Sequence, residues 1–256
     1  MLPAPALAQL VKAPWPESLS AKARADLAAN DARPAAPPTM AGRRERSEAI
    51  QQEIGHPRLK RHGVTMSEGI IAGVPVRIFI PRRMRADAPV LLNLHGGGFI
   101  VDAGSITENV DIAALTGYRV VAARYRLSPE HPFPAAVEDA LAVYRALLQE
   151  RPGTRIGLYG TSAGAILSAE LVVRLRADNV PLPTALGFFS GTADLSQPGD
   201  SVALFADLAT AAAVSRLYAG KSGLDDPLLS PLRGDLAGWP ATLCVSSTRD
   251  FLLSAG

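Results

Sequence analysis

The feature that most constrains the fold is a change of rhythm that begins near residue 64. From there, short apolar runs alternate with longer amphipathic stretches. Val74-Pro75-Val76-Arg77-Ile78-Phe79-Ile80 alternates as a strand does, and Pro89-Val90-Leu91-Leu92-Asn93-Leu94 is the continuous apolar run of a buried strand. Residues 119–123, 155–159, 184–189 and 241–246 read as further strands, with helices expected over 134–149 and 162–176. Strands apolar on both faces, alternating with helices, demand a mostly parallel sheet with helices on both sides, an α/β fold.

The chain has 256 residues, 48% of them hydrophobic, which is enough to bury a large core and excludes disorder as the main state. Its 26 Lys and Arg nearly balance its 24 Asp and Glu. With no dense basic block beyond Arg43-Arg44-Glu45-Arg46, a general affinity for nucleic acid or an anionic membrane is not expected. No apolar run approaches the roughly 18 residues of a membrane span. The opening Met1-Leu2-Pro3-Ala4-Pro5-Ala6-Leu7-Ala8 lacks a positive flank and Lys12 follows too soon for a targeting signal, so a cytoplasmic protein is expected. The single Cys244 excludes an intrachain disulfide and a cysteine metal cluster. Residues 1–60 read as a helical cap segment, with helices over 18–30 and 42–54 around the breaker Arg33-Pro34-Ala35-Ala36-Pro37-Pro38. They are an appendage before a core over 61–256. The irregular stretch 191–232 reads as a lid inserted between strands.

Two glycine-rich motifs carry chemistry. Gly160-Thr161-Ser162-Ala163-Gly164 joins the strand ending at Tyr159 to the helix after it. A serine at so sharp a turn is forced into a strained backbone, and only glycine on either side lets the two elements pass so closely. The turn lifts Ser162 Oγ clear of the sheet and aims the Ala163 N–H, at a helix N-terminus, at the place where an oxyanion would form. His95-Gly96-Gly97-Gly98-Phe99 follows the strand ending at Leu94. Three successive glycines leave backbone N–H groups bare, as stabilisation of a tetrahedral oxyanion requires; HGGG-type motifs do this in lipases and esterases. A turn with an incidental serine and a plain flexible loop are the bland alternatives. They lose ground because both motifs end successive parallel strands, where α/β sheets place their ligands.

With Tyr125-Arg126-Leu127-Ser128-Pro129-Glu130-His131-Pro132-Phe133-Pro134-Ala135-Ala136 and Asp226-Pro227-Leu228-Leu229-Ser230-Pro231-Leu232, these motifs make the chain resemble the hormone-sensitive lipase family of α/β-hydrolases, in its bacterial carboxylesterase branch. The resemblance runs from about residue 60 onward, and Thr161 is similar to the GTSAG subgroup rather than the GDSAG one. It implies an α/β-hydrolase fold with Ser162 as nucleophile and the N–H groups of Gly97, Gly98 and Ala163 as oxyanion donors. His95, Gly96, Gly160 and Gly164 support the two motifs, and residues 1–60 with part of 191–232 would shape the acyl pocket. It further implies that Asp250, in Ser246-Ser247-Thr248-Arg249-Asp250-Phe251-Leu252-Leu253, is the acid that orients a histidine. A surface-loop carboxylate is the alternative for Asp250, and Asp225 and Asp226 are weaker choices for the acid.

Family members carry the triad histidine after one further helix and strand, several tens of residues beyond the Asp, whereas this sequence stops at Gly256. Of the four histidines, His95 belongs to the Gly loop, His131 precedes Pro132 in a Pro-rich turn, and His56 and His62 lie in or near the cap. None is expected within reach of both Ser162 and Asp250. The expectation is therefore a carboxylic-ester hydrolase of short- to medium-chain acyl esters or lactones, truncated before its base and nearly inactive. Without the last strand, Thr242-Leu243-Cys244-Val245 would be a bare apolar edge open to self-association, and a family-type dimer is not to be assumed. A non-catalytic protein that binds a small carboxylate beneath the cap is the second reading, and an amidase or peptidase the third. The partner is a small-molecule ester; neither metal nor organic cofactor is implied.

Overall fold

The structure, a computed structural model, describes residues 17–32, 34–85, 88–150, 153–205, 208–248 and 250–255. The first sixteen residues, where the cap segment and the search for a targeting signal begin, lie outside the described residues.

Two helices come first, α1 (Ala21–Asp31) and α2 (Met40–His62). Thr39 caps α2, its Oγ1 accepting from the Gly42 N–H at 3.1 Å, and Gly63 ends it at a left-handed φ of 63°. The helix was expected to stop near residue 54 but runs on through Pro57. Packing outweighs the hydrogen bond lost at that proline. Gln51 is buried, donating from Nε2 to the Asp102 carbonyl at 2.8 Å and accepting the Ile106 N–H at 2.8 Å. A Cβ on Gly55 would overlap the Ile106 side chain. The α2 segment thus also helps to cover the sheet.

The sheet has seven strands, β1 (Val64–Ile71), β2 (Val74–Pro81), β3 (Val90–Leu94), β4 (Val120–Ala123), β5 (Ile156–Thr161), β6 (Ala185–Phe189) and β7 (Thr242–Val245), in the order β1-β2-β4-β3-β5-β6-β7. β3 to β7 run parallel, while β2 pairs antiparallel with both β1 and β4. The sheet is mostly parallel, as its apolar central strands require, with an antiparallel hairpin at one edge.

Helix α2 and the short α3 (Val110–Thr116) cover one face over Phe79, Ile106, Val120 and Tyr159. On the other face, α4 (Ala135–Gln149) and α5 (Ala163–Ala177) pack over Leu92, Leu94, Val121 and Leu158. Eleven of the fifteen residues of α5 are buried, so it is a core helix apolar on nearly every side. Between β6 and β7 stand α6 (Asp200–Phe205) and α7 (Leu208–Ala219). Among the described residues β7 is the end strand; all four of its residues are exposed, Leu243 at 63% and Val245 at 50%. No helix among the described residues is long and apolar enough to cross a membrane.

Candidate active site

The C-terminal ends of β3 and β5, adjacent parallel strands, bring the two glycine motifs together. Ser162 sits between β5 and α5 at φ 56°, ψ −122°, a positive φ that costs a non-glycine residue on the order of 1–3 kcal/mol. The strained turn expected from the sequence is present. Its backbone is tied to β6 by the Ser162 N–H, which donates to the Phe189 carbonyl at 2.9 Å. A Cβ on Gly160 would stand 2.6 Å from the Leu94 carbonyl oxygen, so the elbow presses on the strand that delivers the Gly loop. On the other side, a Cβ on Gly96 would stand 3.6 Å from Ser162 Cβ.

The Gly loop is held from behind. Gly97, Gly98 and Phe99 have φ of 125°, 62° and 61°, and the Gly97 carbonyl accepts from the Ile100 and Val101 N–H groups at 3.2 and 3.1 Å. His95 is fully buried and stacks on Tyr125 with ring centroids 4.2 Å apart; the Tyr125 hydroxyl donates to the His95 carbonyl at 2.6 Å. The Gly96 N–H donates to Glu108 Oε1 at 3.2 Å, and Asn93 donates to the other oxygen at 3.1 Å. Burial raises the Glu108 carboxyl above its ordinary value, and these two hydrogen bonds oppose the rise. Among the described residues the N–H groups of Gly97, Gly98 and Ala163 have no acceptor within the protein. The glycines that resemblance assigned to the oxyanion are thus the ones left with donors to offer, and Gly96 is not.

Asp250 lies beyond β7 and is nearly buried. It accepts from Ser246 Oγ at 2.8 Å and from the Leu252 N–H at 2.9 Å. Burial alone would push its carboxyl up, but the Leu252 N–H and the Ser190 and Ser246 hydroxyls hold it below the ordinary range, an ionised acid at neutral pH. Ser190 follows β6 and bonds through its N–H to the Val245 carbonyl at 2.8 Å. Asp250 therefore stands at the same sheet edge as Ser162, linked to it through the end of β6. Asp225 is exposed, and Asp226 accepts the Leu228 N–H at 2.9 Å to hold its own turn.

None of the four histidines is hydrogen-bonded to Ser162 or Asp250. His95 Nδ1 faces the Gly96 carbonyl at 2.9 Å, and His62 faces Asp111 at 3.2 Å. His131 is exposed in its turn, and His56 is exposed on α2.

A profile of the α/β hydrolase fold matches residues 91–256. The chain belongs to that family. Its relatives include an acetyl-hydrolase of Streptomyces hygroscopicus, 37% identical over 67% of this chain and 60% of the relative. A carboxylesterase of Mycobacterium tuberculosis is 30% identical over 78% of this chain and 68% of its own length. The chain spans 60% and 57% of the length of the first two curated relatives it matches. Among solved structures, an esterase from the bacterial hormone-sensitive lipase family superposes with a TM-score of 0.75 at 31% identity, covering 88% of this chain and 76% of that one. A hormone-sensitive lipase from a metagenome library gives 0.78 at 31%, covering 89% and 77%. Within the α/β-hydrolases the chain is thus of the hormone-sensitive lipase type.

Two contacts of this hydrolase fold escaped the sequence. Phe99, at the end of the Gly loop, stacks on Tyr218 of α7 with ring centroids 3.5 Å apart. Tyr218 in turn donates to Glu170 Oε2, on the helix that follows Ser162, and Glu170 Oε1 is buried without a partner among the described residues. Burial pushes the Glu170 carboxyl well above its ordinary value, which the Tyr218 hydrogen bond only partly offsets. An acid so raised keeps its proton on folding, so stability is full below the unfolded value of about 4.3 and falls as pH rises toward the folded value. The fall is about 1.4 kcal/mol per pH unit. Glu170→Gln removes the titration. In urea unfolding it is expected to match the parent near pH 4 and to exceed it increasingly toward pH 8; a difference constant with pH would show that Glu170 does not carry a raised pKa.

Proposed function

We propose that this chain carries the acyl-transfer site of a carboxylic-ester hydrolase. Ser162 Oγ attacks the ester carbonyl, its proton passing to a histidine that Asp250 orients. The negative oxygen is received by the N–H groups of Gly97, Gly98 and Ala163. The alkoxy C–O bond then breaks and the alcohol leaves with the proton; water, deprotonated by the same base, releases the acid from acyl-Ser162. The single observation that carries this reading is that the two glycine motifs, which end adjacent parallel strands beside the strained Ser162, hold three N–H groups with no acceptor among the described residues. The names of the relatives, acetyl-hydrolase and carboxylesterase, support it. The cap is proposed to be residues 1–60 with part of 191–232. In support, Val214 of α7 would lie 3.4 Å from a Cβ on Gly98, so α7 roofs the Gly loop. Short- to medium-chain acyl esters or lactones are the proposed substrates.

None of the four histidines is hydrogen-bonded to Ser162 or Asp250, and the 256-residue polypeptide is therefore proposed to lack its base and to be nearly inactive. The same observation favours one second reading, capture of a small carboxylate by the bare N–H groups without turnover. A fluorophosphonate separates the two when applied to a polypeptide extended with a family-type helix, strand and histidine. Label is expected on the peptide containing Ser162 and absent from Ser162→Ala. Label that survives Ser162→Ala, or none at all while the shorter chain binds butyrate, defeats the hydrolase reading. Self-association of the 256-residue form by pairing through β7 is also proposed, from the exposure of that strand.

A further inference from the structure

The net charge of +2 hides an uneven distribution, and the expectation of no basic block beyond Arg43-Arg44-Glu45-Arg46 overlooks a second run of equal density, Arg82-Arg83-Met84-Arg85. At the end of the sheet away from Ser162, where β3 and β5 begin, the loop after β2 reads Arg82-Arg83-Met84-Arg85, all exposed. It abuts the C-terminus of α2: a Cβ on Gly63 would stand 3.5 Å from Arg82. It also abuts the end of α3, with the Arg85 N–H donating to the Gly117 carbonyl at 3.2 Å. Lys60 and Arg61, in the last turn of α2, therefore join Arg82, Arg83 and Arg85 in one patch.

None of these five cations has a carboxylate partner among the described residues, although Arg85 lies over the Tyr118 ring at 5.7 Å. Among the described residues the acids beside the patch are engaged with other cations, Asp111 with Arg58 and His62, and Glu150 with Arg119; Asp87, in the same loop, lies outside the described residues. Elsewhere several arginines are paired with carboxylates, as Arg44 with Glu130, Arg126 with Asp139 and Arg233 with Asp194, while Arg43 and Arg46 bond backbone carbonyls. Cations in the last turn of a helix complement its dipole, which accounts for Lys60 and Arg61. It does not account for the three arginines in the loop. Two large aliphatic side chains are exposed within the same patch, Met84 at 58% and Leu115, in the last turn of α3, at 82%.

We propose that this face docks on an anionic lipid bilayer, the five cations at lipid phosphates and Met84 and Leu115 dipping into the interface. Charge complementarity selects an anionic partner. The two aliphatic groups select lipid over nucleic acid, whose phosphates give them nothing to enter. Binding is peripheral and leaves Ser162 on the far side of the sheet, open to solvent; it does not depend on the esterase reading.

The test is sedimentation of the 256-residue chain with vesicles of phosphatidylcholine alone and with about 30 mol % phosphatidylglycerol. Binding is expected only to the anionic vesicles at low salt, and is expected to be lost near 0.5 M NaCl, where screening shortens to roughly 4 Å. Arg82→Gln with Arg83→Gln and Arg85→Gln should weaken partitioning on the order of 100-fold, at about fivefold per cation. These side chains are exposed, so the melting temperature should be unchanged. Met84→Ser with Leu115→Ser should also weaken binding, whereas removing equal charge outside the patch, at Lys22, Arg216 and Lys221, should not. Equal binding to both vesicles, a triple variant that binds like the parent, or retention on duplex DNA without vesicle binding overturns the proposal.

Discussion

Adding a family-type helix, strand and histidine after Gly256 is expected to raise p-nitrophenyl butyrate turnover on the order of 10⁴- to 10⁶-fold over the 256-residue polypeptide. Ser162 is in its strained turn, three N–H donors have no acceptor among the described residues, Asp250 is held below the ordinary carboxylate range, and none of the four histidines is hydrogen-bonded to Ser162. Nucleophile, base and acid act as a unit, so removing a second member once the first is gone costs little. Ser162→Ala should therefore change the rate of the 256-residue form by less than about tenfold, because what survives there comes from the oxyanion donors and binding. In the extended form the same substitution should cost on the order of 10⁶, and Asp250→Asn roughly 10⁴. Substantial Ser162-dependent turnover by the shorter form would sink this account of the base. His131, His56 and His62 would then be tested one at a time.

Apolar runs and glycine motifs could be read from the sequence; contacts between distant segments could not. β3, β4, β5 and β6 were legible because each is an apolar run whose burial requires a covered parallel sheet. The elbow at Ser162 was legible because glycines on both sides of a serine, at a strand-to-helix junction, mark a passage too close for a Cβ. β1 was not, since Ser67, Glu68 and Gly69 interrupt any alternation and half of the strand is exposed. Its pairing is set by the turn at Ala72-Gly73, both at positive φ, and by β2 alongside. The seven-residue α3 has no side-chain N-cap to announce it. In the site, the Gly loop was visible as glycines, but its anchors were not: Glu108 on the Gly96 N–H and Tyr218 on Phe99 are contacts between distant segments, with no spacing to betray them. Glu170 was hidden by its own environment. A carboxylate in an otherwise apolar helix reads as an exposed position until the structure buries it against Tyr218.

Gly164→Ala is expected to destabilise the fold by more than about 3 kcal/mol, the range reserved for direct steric conflict in a packed interior. The sign is not obvious in advance, because Gly164 lies in the first turn of α5, where alanine is intrinsically better by up to about 1 kcal/mol. Geometry decides it. A Cβ there would overlap the Leu94 carbonyl oxygen and stand 2.6 Å from the Leu94 carbonyl carbon and 2.8 Å from the His95 carbonyl oxygen. All three are backbone atoms of β3 and the Gly loop, so no side chain can swing aside. Relief requires α5 to lift off the sheet or β3 to retreat, and either move opens the core over Leu94 and Leu167. Gly69→Ala is the control. In β1 its nearest contacts would be 3.8 and 3.9 Å, ordinary van der Waals distances, so alanine should be neutral or stabilising by up to about 1 kcal/mol through reduced unfolded-state entropy. The two substitutions add the same methyl group, and urea unfolding should report opposite signs. If Gly164→Ala unfolds within about 1 kcal/mol of the parent, the close passage of α5 over β3 is not what fixes the elbow, and the strain at Ser162 must be held by its bond to Phe189 alone.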